Sequence, residues 1–146
     1  MDIWIGVRST TRYCYKSLEY ELPKKWRFEE DEGALSLFNP NGNGAMTVSL
    51  YRTLPQNSSL EGQIVTIARK FVDNFGIILD HPFIMKNKDD SLALEGEGKT
   101  NDNWFIKIWV IGRHPKIAFV TYQSNTKTNE IKKCNLIVNS MRFLDK

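Results

Sequence analysis

The chain has 146 residues, with 20 Lys and Arg against 17 Asp and Glu, a formal net charge of +3, and an apolar fraction of 41%. This fits one domain with a real core and excludes a wholly disordered chain. No apolar run approaches the roughly 20 residues that span a bilayer, and the basic excess is too mild to indicate a nucleic-acid binder, in which the cations would also cluster.

The first residues, MDIWIGVRSTTR, place Asp2 before a short apolar stretch that Arg8 cuts off. A secretory segment needs a basic start and about 7–15 apolar residues, so the cytoplasm is expected. Residues 1–146 read as a single domain in which 1–14 form an N-terminal arm. Tyr15 to Leu22 alternates as a strand up to Pro23, and Trp26 and Phe28 mark a second short strand. Glu30-Asp31-Glu32-Gly33 is a turn sequence, and Ala34 to Phe38 is a strand with Leu35 and Leu37 on one face. Asn39 to Gly44 contains the strongest short hairpin signal, Asn-Gly. In Ala45 to Tyr51, Met46, Val48 and Leu50 point one way, and Thr47, Ser49 and Tyr51 the other. The first third therefore reads as an antiparallel meander.

The period then changes. Ser58-Ser59-Leu60-Glu61 is a capping-box sequence. Leu60, Ile64, Ile67, Ala68, Phe71, Val72 and Phe75 form the apolar stripe of a helix that Gly76 is placed to end. After His81-Pro82, Leu92 and Leu94 alternate with polar or small residues. Trp104 to Ile111 is apolar on both faces, with Lys107 the one break, so it should be a central strand covered on both sides. Gly112 to Pro115 turns the chain, and Ile117 to Gln123 pairs back. Thr126 or Thr128 should cap a last helix with Ile131, Cys134, Ile137, Val138 and Met141 on one face. Phe143 and Leu144 end as a docking tail. The expected class is α+β: one antiparallel sheet flanked by helices.

No residue set points to catalysis. Ala93 to Thr100 fits a relaxed phosphate-loop pattern, but a helix must follow Thr100 and a β segment does, so the stretch from Gly96 to Asn103 reads as a hairpin tip. His81 and His114 each precede proline and read as turn residues; Cys14 and Cys134 lack the spacing of a zinc site or a disulfide scaffold. The run Glu29 to Glu32 lacks calcium-loop spacing. No catalytic, metal or cofactor site is expected. Trp104 and Trp109, lying in the most apolar strand, read as core rather than as a stacking platform. Basic residues gather near the last helix, and Lys127, Lys132 and Lys133 are the candidate contacts for an acidic protein partner.

Leu22-Pro23-Lys24-Lys25-Trp26, Gly33 to Pro40, Gly44 to Tyr51 and the ending Ile137 to Phe143 together resemble the PsbP/DcrB-like α/β/α sandwich fold, over about Tyr15 to Leu144. The resemblance is to small bacterial members without an assigned function. It implies a non-catalytic binding or adaptor scaffold; some bacterial relatives look like immunity proteins against toxins. Met1 to Thr11 departs from exported or lipid-anchored relatives. The expected function is a bacterial, cytoplasmic protein-binding module, a toxin-immunity protein being one concrete form, with neither nucleic acid nor membrane as partner. The alternative is a small-ligand binder with a pocket between helix Leu60–Gly76 and the sheet.

Overall fold

The computed structural model describes residues 10–54, 59–88 and 90–144. Asp2, Arg8 and Ser58, named above, lie outside the described residues. The chain runs β1 (Thr10–Tyr15), β2 (Leu18–Pro23), β3 (Arg27–Asp31), β4 (Ala34–Phe38), β5 (Gly44–Arg52), α1 (Leu60–Phe75), β6 (Ile78–Leu79), β7 (Ile84–Lys88), β8 (Ser91–Lys99), β9 (Phe105–Arg113), β10 (Lys116–Ser124), α2 (Glu130–Ser140) and β11 (Arg142–Phe143). The main sheet is antiparallel, in the order β3-β4-β5-β10-β9-β8-β6, with β7 also on β8. A second sheet has the order β1-β2-β11.

The expected meander is therefore divided between two sheets. The stretch read as one strand from Tyr15 to Leu22 is a hairpin, turned at Lys16, whose φ of 53° lies in the left-handed region. The chain leaves the small sheet at Pro23. There a turn closed by Trp26 N–H on the Pro23 carbonyl (3.1 Å), with Lys25 at φ 79°, carries it into the main sheet. Glu29, Glu30 and Asp31 belong to β3, so the predicted turn shrinks to Glu32-Gly33, with Gly33 at φ 90°. The short strands β6 and β7 flank His81-Pro82, in a stretch whose residues carry no clear alternation.

β9 covers the predicted central strand, shifted by one residue at its start. Ile106, Ile108 and Val110 join Ile64 and Ala68 of α1 in one core. Phe105, Trp109 and Ile111 face a second core with Leu18 and Leu22 of β2 and Cys134 and Ile137 of α2. The flanking is partial. Helix α1 lies over β8 and β9, whereas α2 shares the other face with the small sheet. Trp104 is a correction: it precedes β9 in the turn and is 41% exposed, not core.

Several glycines sit where backbones meet. Gly112 lies in β9 rather than in a turn, and a Cβ there would stand 2.8 Å from Ile64, so its absence lets α1 settle on the strand. Gly96 and Gly98 lie inside β8 rather than in the hairpin tip, which is confined to Thr100–Trp104. A Cβ at Gly96 would reach the Phe83 ring at 2.6 Å, and one at Gly98 would strike the Ile78 backbone.

Polar groups tie α2 to the layers. One oxygen of Glu130 accepts from Asn43 N–H (3.0 Å), Gly44 N–H (2.9 Å) and the Tyr122 hydroxyl (2.7 Å). Thr128 rather than Thr126 helps to start the helix, its hydroxyl accepting from Glu130 N–H at 3.3 Å. At the other end the Lys88 ammonium donates to the carbonyls of Val138, Asn139 and Met141 at 3.3, 2.8 and 3.3 Å, a cation placed where the helix dipole favours one. The tail docks as expected: Phe143 pairs with Leu18, and Lys116 donates to the Leu144 carbonyl at 2.6 Å.

Trp109 is 2% exposed. Trp109→Ala should lower stability by about 3–5 kcal/mol, the usual cost of deleting a large buried aromatic. Denaturant unfolding of both proteins checks this, and a loss below about 1 kcal/mol would contradict the packing described.

Candidate functional groove

The wet face of β5 is where the molecule stays open. Thr47, Ser49 and Tyr51 point to the same side as α1, but the helix lies farther along the sheet, over β8 and β9. In register with them on β10 stand Thr121, Phe119 and Ile117. These alternate residues floor a groove. Its wall is the flank of α1, where Ile67, Phe71 and Phe75 recur every four residues along one ridge.

The apolar stripe of α1 is thus wider than the surface it buries. Ile64 and Ala68 are fully buried, whereas Ile67 and Phe71 are half-buried and Phe75 is 60% exposed. The Phe71 ring lies 4.9 Å from both Phe75 and Phe119, a small aromatic cluster joining wall to floor.

The groove has two compartments that meet at Tyr51. One, of about 750 Å³, lies at the C-terminal end of α1 between Phe71, Phe75, Trp104 and the hydroxyls of Thr47, Ser49 and Thr121. The other, of about 590 Å³, lies beside the first turns of α1 and is lined by Leu54, Gln63, Ile67 and Ile117, with Arg52 and Lys70. Both volumes fall in the range of ordinary ligand sites. Four of the large apolar side chains exposed among the described residues border this groove: Tyr51, Leu54, Phe75 and Trp104.

Local structure holds the rims in place. Ser59 caps α1 by accepting from Gly62 N–H at 3.0 Å, one residue later than the capping box places the cap. Buried Gln63 accepts from Leu54 N–H at 2.7 Å and donates to its carbonyl at 3.4 Å, pinning the chain that enters the helix. Gly76 ends α1 at φ 61° with its N–H on the Val72 carbonyl. The Trp104 rim is closed by Thr100, whose hydroxyl accepts from Trp104 N–H at 3.1 Å.

The groove brings together none of the three candidate lysines. Lys132 and Lys133 are exposed on α2, on the far side of the sheet. Lys127 precedes the helix, 2.8 Å from Glu97 and over the Phe105 ring at 5.6 Å, so it is not the free solvent cation that the sequence suggested. It ends a chain of charges in which Lys86 pairs with Glu95 (2.9 Å) and Lys107 bridges Glu95 (3.2 Å) and Glu97 (3.5 Å). Burial works to raise the Glu95 carboxyl, but the Lys86 hydrogen bond and the Lys107 charge outweigh it and hold it below its ordinary range. Glu97 is likewise held down, by Lys127 and Lys107 against its own burial.

The other residues weighed above stay apart. His114 Nδ1 lies 2.9 Å from the Thr53 hydroxyl, and His81 Nδ1 lies 2.9 Å from the Pro82 carbonyl; both rings are exposed. Burial, with Glu130 adding to it, pushes the Cys134 thiol up to about 12, and Cys14 is exposed and unpaired. Lys99 ends β8, and the segment after Thr100 is a turn into β9 with no helix to cradle a phosphate. Among the described residues no cluster of His, Cys, Asp and Glu could hold a metal ion.

No protein-family model matches the chain, and no curated protein matches it. Solved structures do. The solution structure of cyanobacterial PsbP (CyanoP) from Synechocystis sp. PCC 6803 superposes with a TM-score of 0.68 over 95% of each chain, at 14% identity. A crystal structure from Bacteroides thetaiotaomicron matches 94% of this chain with a TM-score of 0.59 at 12% identity, and this chain spans 50% of that one. The fold is PsbP-like, a mostly antiparallel sheet with two helices, and among the described residues no helix is long and apolar enough to cross a membrane.

The depressed Glu95 and Glu97 make stability depend on pH. A carboxyl held below its unfolded value contributes stability above that value and loses it as pH falls through the folded one. Acidification below the ordinary carboxylate range should therefore lower the melting temperature. In Lys107→Met this acid-side decline should be shallower, and identical slopes in thermal melts of the two proteins would show that the network carries no such linkage.

Proposed function

We propose that this PsbP-like fold serves as a non-catalytic binding module that takes a small molecule in the groove between α1 and the open face of β5 and β10. The observation that carries the reading is the ridge Ile67-Phe71-Phe75. A helix that faced only the sheet and water would place polar residues there, because exposed aromatics gain nothing from solvent. Hydroxyls at Thr47, Ser49 and Thr121 face the same space and supply orienting polar groups. The exposed free thiol of Cys14 suits a reducing compartment, and the cytoplasm is the proposed location.

Trp104 is exposed at the rim, so a ligand in the groove should perturb its emission, and Trp104→Phe separates that contribution from those of the other three tryptophans. Nile red, a neutral dye, should bind with micromolar affinity and quench or shift that emission. Phe75→Ser should weaken binding about tenfold with the melting temperature nearly unchanged. Equal affinity for wild type and variant would remove the groove from the reading.

A protein partner is the second reading, favoured by one feature of α2. Leu136 is 62% exposed and lies three and four residues after Lys133 and Lys132, so an apolar side chain stands among cations on the outer face of the helix. An acidic partner, a toxin in the immunity form of this reading, would be steered to that face. Reversing Lys132 and Lys133 to Glu should then slow association more than it speeds dissociation, and the effect should shrink with salt. Recovery of the same partner from the native host, at unchanged rate with both baits, would exclude α2.

A further inference from the structure

We propose that the ligand of the groove is a neutral sugar, held in the compartment at the C-terminal end of α1. Its carbon face lies on the aromatic wall, and its hydroxyls meet the polar side chains of the floor and rim. This rests on the groove being the binding element and adds the chemical class of what it binds.

The floor carries the first argument. Thr121 is 7% exposed and lines this compartment, yet among the described residues its hydroxyl makes no hydrogen bond. A buried hydroxyl without a partner is costly, and a polar ligand group seated on it removes the cost. Thr47 stands opposite Thr121 on β5; Ser49 and Gln123 follow two residues along their strands, on the same face. Their side chains are likewise unengaged among the described residues. Neighbours in this set are about 5 Å apart across the strands and about 7 Å apart along them. A sugar ring, with hydroxyls all round its edge, reaches more than one of them.

The rim adds two more polar groups. Asn101 and Asp102 lie in the turn that Asn103 N–H closes on the Thr100 carbonyl at 2.9 Å. The Asn101 amide stands 3.7 Å from the place that a Cβ on Gly76 would take, so this turn abuts the end of α1. Among the described residues Asp102 is the one ionic side chain lining the compartment, and no cation lines it.

Each rival class leaves part of this unmet. An anion finds no positive charge and meets Asp102. A quaternary ammonium suits aromatic faces but neither donates nor accepts a hydrogen bond, so Thr121 stays unpaired. An apolar molecule leaves it unpaired as well. A flat heterocycle stacks best between parallel rings, whereas Phe71 is tilted by 42° to Phe75 and by 59° to Phe119. A sugar is puckered and uncharged. Its faces carry C–H groups for the electron-rich ring faces, of which Phe75 and Trp104 are the exposed ones, and its edge carries groups that both donate and accept.

The test titrates the methyl glycosides of glucose, galactose, mannose and N-acetylglucosamine into the full chain by calorimetry and amide NMR, with cyclohexanol, adenosine and choline as rivals. At least one glycoside should bind at least tenfold more tightly than every rival and shift the amides of Ser49, Phe119 and Thr121. Raising salt from 50 to 500 mM should leave its affinity unchanged. Thr121→Val exchanges the hydroxyl for a methyl of similar shape. It should weaken the glycoside about fivefold and leave cyclohexanol unchanged. Gln123→Ala, at an exposed position, should weaken the glycoside likewise without lowering the melting temperature. The sugar assignment is overturned, while the groove stands, if a rival comes within tenfold of the best glycoside, if neither variant weakens it, or if Nile red binds and no glycoside does. If neither Nile red nor any glycoside moves those amides, the groove reading falls with it.

Discussion

Strand β9 cannot meet water on either side. Ile106, Ile108 and Val110 leave it in one direction and Phe105, Trp109 and Ile111 in the other, so two separate layers must form around it. One is helix α1. The other is a composite of the β1-β2-β11 sheet and α2. The remainder of the fold follows from supplying those covers: α1 needs the glycine at position 112 to reach the strand, and the chain end must return as β11 to complete the small sheet.

The groove follows from unequal widths. Seven strands abreast span about 29 Å at the usual strand spacing, whereas one helix covers about 10 Å. On the second face a three-stranded sheet and a helix share the work. On the first face α1 works alone, over β8 and β9. The part of the sheet it does not reach, β10 and β5, keeps hydroxyls at Thr47, Ser49 and Thr121, and the helix flank that overlooks it keeps phenylalanines. Open space with polar floor and aromatic wall results from geometry, and the residues present are suited to occupying it with a ligand rather than with core.

Polar contacts between layers are few and each joins distant parts of the chain. Glu130 joins the Asn43-Gly44 turn to the start of α2 and to Tyr122 in β10; Lys88 closes the far end of the same helix; Ser140 accepts from Glu21 N–H at 2.8 Å and so links that end to β2. A Cβ on Gly42 would run into the Glu130 carboxylate, so that turn is shaped by the helix it touches as much as by its own Asn-Gly sequence. The ionic chain from Lys86 to Lys127 plays the same part at the β8 side. It draws Lys127 into the fold and leaves Lys132 and Lys133 as the exposed pair on α2.

The sequence by itself determined the elements with strong periodicity: β4, β5, α1, β9, β10, α2 and the docked tail. Each rests on local backbone sterics and on the alternation of apolar side chains, which need no knowledge of the partner. The two-sided character of β9, and with it the need for two covers, was also legible in residues 105–111. The PsbP-like fold was legible in the strand ends and the final helix. Only the tertiary structure decided which sheet each early strand joins, because Tyr15 to Leu22 and Ala34 to Phe38 carry the same period whichever neighbour they pair with. It alone gave meaning to Gly96, Gly98 and Gly112, whose missing side chains answer to backbones or side chains distant in sequence. It decided the groove as well. The stripe of α1 predicts that Ile67, Phe71 and Phe75 are apolar, but whether such a ridge is buried or left facing open space depends on how far one helix reaches across the sheet, a distance set by packing between layers and not by any residue along the chain.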